Sequence, residues 1–349
     1  MLFRSLDGLD HRDLHSFPTR RSSDLLGQPG GLDRLEAFSG GAVPYQAPPV
    51  RFREAGARGP NGTVPVRVYG GGPGHDGPAL VWMHGGGFGG GGPGMREADQ
   101  LAREVAARSG GVVVSVDYRL ARDGVHFPVP HEDVLAAWLW TVGHAAELGA
   151  DPDRVCLGGA SAGGNLAVGA ALFLKDAGLP LPARLLLAYP FLHADLPAPS
   201  STSSPGSNTV SGTGSNSGSG AGPGSIPEPD VSDVLEGLPR LLRFTADDCR
   251  ALVENYIGGP VAMASSYAMP GNADPSGLPP AAIIACEYDD LRPSAEVFAA
   301  RLRRAGTDVD FRLEAGTFHG YLNHSAGLRI VQDGLAFLAR ALVEAKPFQ

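Results

Sequence analysis

Lysine is nearly missing from this sequence. Lys175 and Lys346 are its only lysines among 349 residues, and arginine supplies the rest of the 28 basic side chains. With 50 glycines and 30 prolines, that bias points to coding-DNA composition and not to function. Positive charge is also in deficit. The 37 acidic residues leave a net charge of −9, which argues against nucleic acid or an anionic membrane surface as a partner. Cysteine is scarce and odd in number: three residues make no disulfide framework. Cys156 and Cys286 lie in apolar runs that suit small buried hydrophobes, and Cys249 falls in a predicted helix. No apolar run is long enough to span a bilayer, and the N-terminus lacks the continuous apolar stretch of a secretory signal. The expectation is a cytoplasmic protein with no stable membrane association.

What is present suits a globular enzyme. Hydrophobic residues make up 43% and charged residues 19%, in a chain long enough for one large domain with an embellishment. Residues 1–25 have no apolar period, and His15-Ser16-Phe17-Pro18-Thr19-Arg20-Arg21 resembles translated sequencing-adapter read-through. That segment is expected to be non-native or disordered, leaving 26–349 as the folded domain. From Val50 onward strands and helices alternate. Strands are expected at 64–69, 79–83, 112–118, 154–158, 185–189, 281–286 and 309–313. Helices are expected over 95–109, 131–148, 293–305 and 326–344, with another directly after residue 163. This alternation predicts an α/β fold, a mostly parallel doubly wound sheet covered on both faces. Residues 200–225 are almost purely Ser, Gly, Asn, Thr and Pro and are expected to be a disordered insertion. Residues 231–258 are expected to form cap helices over the carboxyl edge of the sheet, with a capping box at Thr245-Ala246-Asp247-Asp248.

The chemistry is concentrated at Gly159-Ala160-Ser161-Ala162-Gly163, which follows an apolar strand and opens onto a helix. A strand–Gly-x-Ser-x-Gly–helix turn lifts the serine hydroxyl alone above the sheet, and the Ala162 N–H at the helix N-terminus can stabilise an oxyanion. A serine needs a base, and the base an orienting acid. Asp289 follows the strand 281–286 and His319 follows 309–313, so the order Ser161, Asp289, His319 is that of an α/β-hydrolase triad. His84-Gly85-Gly86-Gly87 leaves the strand 79–83. Its consecutive N–H groups, from Gly85, Gly86 and Gly87, can converge on a developing oxyanion, with His84 as an orienting residue that hydrogen-bonds the loop. No metal-ligand spacing is evident, since no second histidine follows His131 at the fourth position.

Together, His84–Phe88, Asp117-Tyr118-Arg119-Leu120-Ala121, Gly159–Gly164, Tyr288-Asp289-Asp290-Leu291-Arg292 and Phe318-His319-Gly320 resemble the hormone-sensitive lipase group of α/β-hydrolases. The resemblance spans residues 50–345. It implies a carboxylesterase acting on small-molecule esters of small or medium acyl chain, without a cofactor. It also implies Ser161, Asp289 and His319 as triad, with the oxyanion hole at Gly85–Gly87 and Ala162. The chain departs from the pattern at Ala160, where many relatives carry Asp, and at Asp290, where relatives often have Pro. Asp290 is accordingly expected to face solvent or cap the helix that follows. Amides and lactones are open to the same machinery. A non-catalytic receptor on such a fold is the other alternative, and it would lack the triad histidine.

Overall fold

The computed structural model describes residues 43–72, 75–198 and 231–348. The segments 1–25 and 200–225, expected to be foreign or disordered, lie outside the described residues. The chain runs through strands β1 (Phe52–Gly59), β2 (Gly62–Tyr69) and β3 (Gly77–Met83), helix α1 (Leu101–Ser109), β4 (Val112–Val116), α2 (Val129–Gly143), α3 (Ala145–Leu148), β5 (Ala150–Ala160) and α4 (Ala162–Asp176). It continues with β6 (Leu185–Ala188), α5 (Val231–Gly237), α6 (Ala246–Ile257), β7 (Ala281–Tyr288), α7 (Arg292–Arg304), β8 (Val309–Phe318) and α8 (Arg329–Val343).

The eight strands form one sheet in the order β1-β2-β4-β3-β5-β6-β7-β8. β1 and β2 pair antiparallel, as do β2 and β4, and every other pair is parallel. The parallel strands are apolar on both faces, as a doubly covered sheet requires; all five residues of β4 are buried. Side chains alternate across the sheet. Leu80, Trp82, Val113, Leu186 and Ile284 pack with Leu101, Val105, Leu335 and Leu338 of α1 and α8. Val81, Met83, Leu157, Leu187 and Ile283 face the other way, into a core with Val134, Trp138, Leu166 and Phe298 of α2, α4 and α7. The three thiols are free and buried. Burial pushes Cys156 and Cys249 up to about 12, which keeps them protonated and inert.

Two elements differ from expectation. β1 was not apparent from the sequence because it is an edge strand that buries only Ala57, so no apolar alternation marks it. The helix expected from Met95 begins as a five-residue π turn, Arg96–Gln100, before α1. Within it, the Trp82 indole donates to the Glu97 carbonyl at 2.8 Å and the Glu97 N–H donates to the Asn323 side chain at 3.3 Å. These tertiary contacts hold a wider turn than local propensity favours, and such turns recur at functional sites.

α6 carries the capping box, with the Thr245 side chain accepting from the Asp248 N–H and the Asp248 carboxylate accepting from the Thr245 N–H. α6 is fastened by hydrogen bonds to the segment after β4. The Phe127 N–H donates to the Tyr256 carbonyl at 2.7 Å, and the Asn255 amide donates to the Ala121 carbonyl at 2.7 Å. Tyr256 is fully buried and stacked on Phe88 at 4.0 Å.

Candidate active site

Ser161 sits between β5 and α4 with φ 53° and ψ −117°. A non-glycine residue held there costs on the order of 1–3 kcal/mol, so the surroundings must enforce it. They do so by close approach: a Cβ on Gly163 would overlap the Met83 carbonyl oxygen, which lets α4 start directly against the end of β3. The Ser161 N–H donates to the Ala188 carbonyl at 2.9 Å, pinning the turn to β6. Its side chain is left at the carboxyl edge of the sheet, beside the N-terminus of α4.

Asp289 and His319 arrive from the ends of β7 and β8. His319 Nε2 lies 2.9 Å from Ser161 Oγ, and His319 Nδ1 lies 2.8 Å from Asp289 Oδ2. The second Asp289 oxygen accepts the Leu291 N–H at 2.9 Å. Ser161, Asp289 and the His319 side chain are 6%, 3% and 7% exposed, so water competes weakly for these bonds. The imidazole contacts two aromatic rings, Tyr189 at 4.9 Å and Phe244 at 4.5 Å, each steeply inclined to it. The three residues singled out from chain order therefore form one continuous hydrogen-bonded line.

The glycine loop after β3 abuts the serine: a Cβ on Gly85 would lie 3.1 Å from Ser161 Cβ. Gly86 has φ 117°, and a Cβ there would collide with the Gly90 carbonyl. The loop closes by a Gly90 N–H bond to the Gly86 carbonyl at 2.9 Å. The expected donor set needs one correction. The Gly85 N–H donates to Glu97 Oε1 at 2.7 Å and is therefore engaged. The N–H groups of Gly86, Gly87 and Ala162 have no acceptor among the described residues.

His84 holds the loop from below. Its Nδ1 lies 2.6 Å from the Gly85 carbonyl, its ring stacks on Tyr118 at 4.5 Å, and the Tyr118 hydroxyl donates to the His84 carbonyl at 2.9 Å. Burial lowers the His84 imidazole below its ordinary value, so it stays neutral and can donate from Nδ1. Arg119, next to Tyr118, is tied down in turn: its N–H and guanidinium both donate to the buried Asp133 carboxylate, at 2.9 and 2.5 Å.

Sequence reasoning missed Glu97. The residue is 2% exposed; Oε1 accepts from Gly85, and Oε2 accepts the Tyr189 hydroxyl at 2.8 Å. It thus joins the glycine loop after β3 to the residue that flanks His319. The only local signal is an acidic side chain near a helix start, which ordinarily reads as a complement to the helix dipole.

This sheet, elbow and glycine loop define an α/β-hydrolase, and the comparisons agree. The family model described as alpha/beta hydrolase fold matches residues 80–213 and 235–323. A carboxylesterase of Mycobacterium tuberculosis, NlhH, is 35% identical over 254 residues, covering 71% of this chain and 70% of its own length. Arylacetamide deacetylase of Oryctolagus cuniculus is 31% identical over 256 residues, covering 65% and 64%. The solved structure of a hyperthermophilic esterase from Pyrobaculum calidifontis superposes with a TM-score of 0.70 at 28% identity over 95% of both chains. The chain belongs to the α/β-hydrolase fold family, in its hormone-sensitive-lipase-like group. No helix among the described residues is long and apolar enough to cross a membrane.

Proposed function

We propose that the chain hydrolyses carboxylic esters of small or medium acyl chain through an acyl-enzyme on Ser161. The observation that carries this reading is the unbroken line Asp289–His319–Ser161 at 2.8 and 2.9 Å, set beside unoccupied N–H donors. His319 Nε2 accepts the Ser161 proton as Oγ attacks the ester carbonyl carbon. The carbonyl oxygen becomes an oxyanion and moves onto the Gly86, Gly87 and Ala162 N–H groups, whose strength grows as charge develops. Collapse breaks the bond to the alcohol oxygen, which takes the proton back from Nε2. A water molecule then repeats the sequence on the acyl-enzyme, giving up its proton to Nε2 and releasing the acid. Asp289 keeps the proton on Nδ1, so that Nε2 is the acceptor, and compensates the transient imidazolium.

The deciding test is labelling by a fluorophosphonate together with the Ser161→Ala variant. The wild type should be labelled at Ser161 alone, and the variant should lose its esterase turnover while unfolding at the wild-type temperature. Labelling elsewhere, or turnover persisting in the variant, overturns the reading. Likeness to an arylacetamide deacetylase gives reason to run aryl amides beside the esters. Amide cleavage exceeding ester cleavage would move the proposal to an amidase with the same triad.

A further inference from the structure

Asp290 does not face solvent, and it caps no helix. Its carboxylate accepts three N–H donors from the segment that leads into α6. Arg243 Nε donates to Oδ2 at 2.8 Å, Arg243 Nη2 donates to Oδ1 at 3.0 Å, and the Phe244 N–H donates to Oδ2 at 2.8 Å. The Asp290 and Arg243 side chains are only 12% and 19% exposed. Arg243 Nη1 also donates to the Leu235 carbonyl of α5. The hydrogen bond to Asp290 raises the Arg243 guanidinium above its ordinary value, so Arg243 stays charged. Two-pronged arginine–carboxylate contacts are directional as well as strong. This one, with the added main-chain bond, fixes the backbone at Phe244, and that backbone sets the Phe244 ring 4.5 Å from the His319 imidazole.

Resting on the proposed esterase reading, we propose that Asp290 is a positioning residue that seats Phe244 against His319, and that Phe244 thereby governs which alcohol portion of an ester the site accepts. The assignment to the alcohol side follows from the proton's path. The leaving oxygen must come to His319 Nε2 to be protonated, so whatever it carries passes along the flank of the imidazole. Tyr189 is fixed on that ring by its bond to Glu97. Phe244 is the wall held by the cap, and it is half-buried. The acyl group leaves the same carbonyl carbon in a different direction from the alcohol oxygen, and Leu252, which lies 2.8 Å from a Cβ placed on Gly87, stands against the glycine loop. One adjacent pair of carboxylates therefore serves two tasks: Asp289 orients the base, and Asp290 sets the wall beside it.

The test measures kcat/KM for butanoyl esters of alcohols of rising bulk, and separately for 4-nitrophenyl esters of rising acyl length. It uses wild type, Phe244→Ala, Asp290→Asn and the double variant. Phe244→Ala should shift the preference for bulky over small alcohols by about three- to tenfold, the worth of one aromatic contact, and leave the acyl-length order unchanged. Asp290→Asn should shift the alcohol preference in the same direction. The double variant should match Phe244→Ala, because a residue acting through another adds nothing once that other is gone. Deacylation, read as the common kcat of activated esters sharing one acyl group, should change less than the alcohol preference. A purely structural role for Asp290 would lower the unfolding temperature without moving that preference, and this result overturns the proposal. Shifts that add in the double variant overturn it also, as does an altered acyl-length order. Fluorophosphonate labelling of the wild type at Ser161 with no response of alcohol preference sinks this inference alone. Absence of labelling sinks the esterase reading beneath it.

Discussion

Replacing Asp289 by Asn changes one atom in shape and reverses the polarity of the site. The Asp289 carboxylate accepts from two donors on opposite oxygens, the Leu291 N–H at 2.9 Å and the His319 ring at 2.8 Å. An asparagine offers only one acceptor. If its carbonyl oxygen stays on the Leu291 N–H, its NH2 group faces His319 Nδ1, which must then give up its proton and accept. The imidazole proton moves to Nε2, which donates to Ser161 Oγ and can no longer take the serine's proton. If the side chain flips, its NH2 group meets the Leu291 N–H in a site only 3% exposed. A buried donor left unmade costs about 1–3 kcal/mol. Even then no negative charge remains to compensate the imidazolium.

Both routes lose transition-state stabilisation. A serine protease with the same arrangement drops about 10⁴-fold on this change, which at 1.36 kcal/mol per decade corresponds to about 5.4 kcal/mol. The flip accounts for up to half of that, and the uncompensated imidazolium for the rest. For Asp289→Asn we expect kcat on 4-nitrophenyl butanoate to fall between about 10³- and 10⁴-fold with KM little changed. An unfolding temperature close to that of the wild type would show that the fold survives. A variant retaining more than a tenth of the wild-type kcat would refute the reasoning, and Asp289 would not be the orienting acid.

Three further outcomes can be measured. Butanoyl esters should be cleaved faster than hexadecanoyl esters, because Leu252 stands against Gly87 and leaves little room for a long chain; the reverse order refutes this. Glu97→Ala should lower kcat about 100-fold with little change in KM, since the loop loses its anchor at Gly85 and one well-placed oxyanion donor is worth about 10²–10³. Glu97→Gln, which keeps an acceptor for Gly85, should stay within about tenfold of wild type, and equal activity of Glu97→Ala and wild type would remove the anchor role. Thermal stability should decline as pH falls from 6.5 towards 4. Burial lowers His193 to about 4, so the unfolded chain binds this proton first. The stability is fully present above the ordinary value of 6.5 and is lost on the order of 3 kcal/mol by pH 4. His193→Gln should flatten that limb of the melting-temperature profile, and an unchanged profile would show that His193 does not drive it.

The features legible in the sequence were those fixed by local pattern. Val112–Val116 reads as a buried parallel strand because its residues are apolar on both faces, and it is one. The glycines about Ser161 read as an elbow because helix and strand must touch there, and the Met83 carbonyl fills that space. The order of Ser161, Asp289 and His319 was legible because a doubly wound sheet delivers the ends of β5, β7 and β8 to one edge. Illegible features depended on partners far along the chain. β1 is held by pairing with β2 and not by burial. Glu97 meets Tyr189 across 92 residues, and Asp290 meets Arg243 across 47; neither spacing carries a period that a pattern could reveal.

The tandem Asp289-Asp290 shows how local reasoning can be right about direction and wrong about consequence. Neighbouring residues in extended chain point to opposite sides, so one acid alone can reach His319, and the structure has Asp289 reach it. The expectation that Asp290 faces solvent or caps the following helix assumed that nothing else lay on its other side. The segment after α5 lies there and brings a guanidinium and a main-chain N–H to the carboxylate. The turn after β7 therefore cannot shift without disturbing both the imidazole's orientation and the aromatic wall beside it. Chemistry and selectivity share a single backbone turn, and a substitution that loosens the segment after α5 will be felt at the Phe244 wall through Asp290 with the triad residues themselves unchanged.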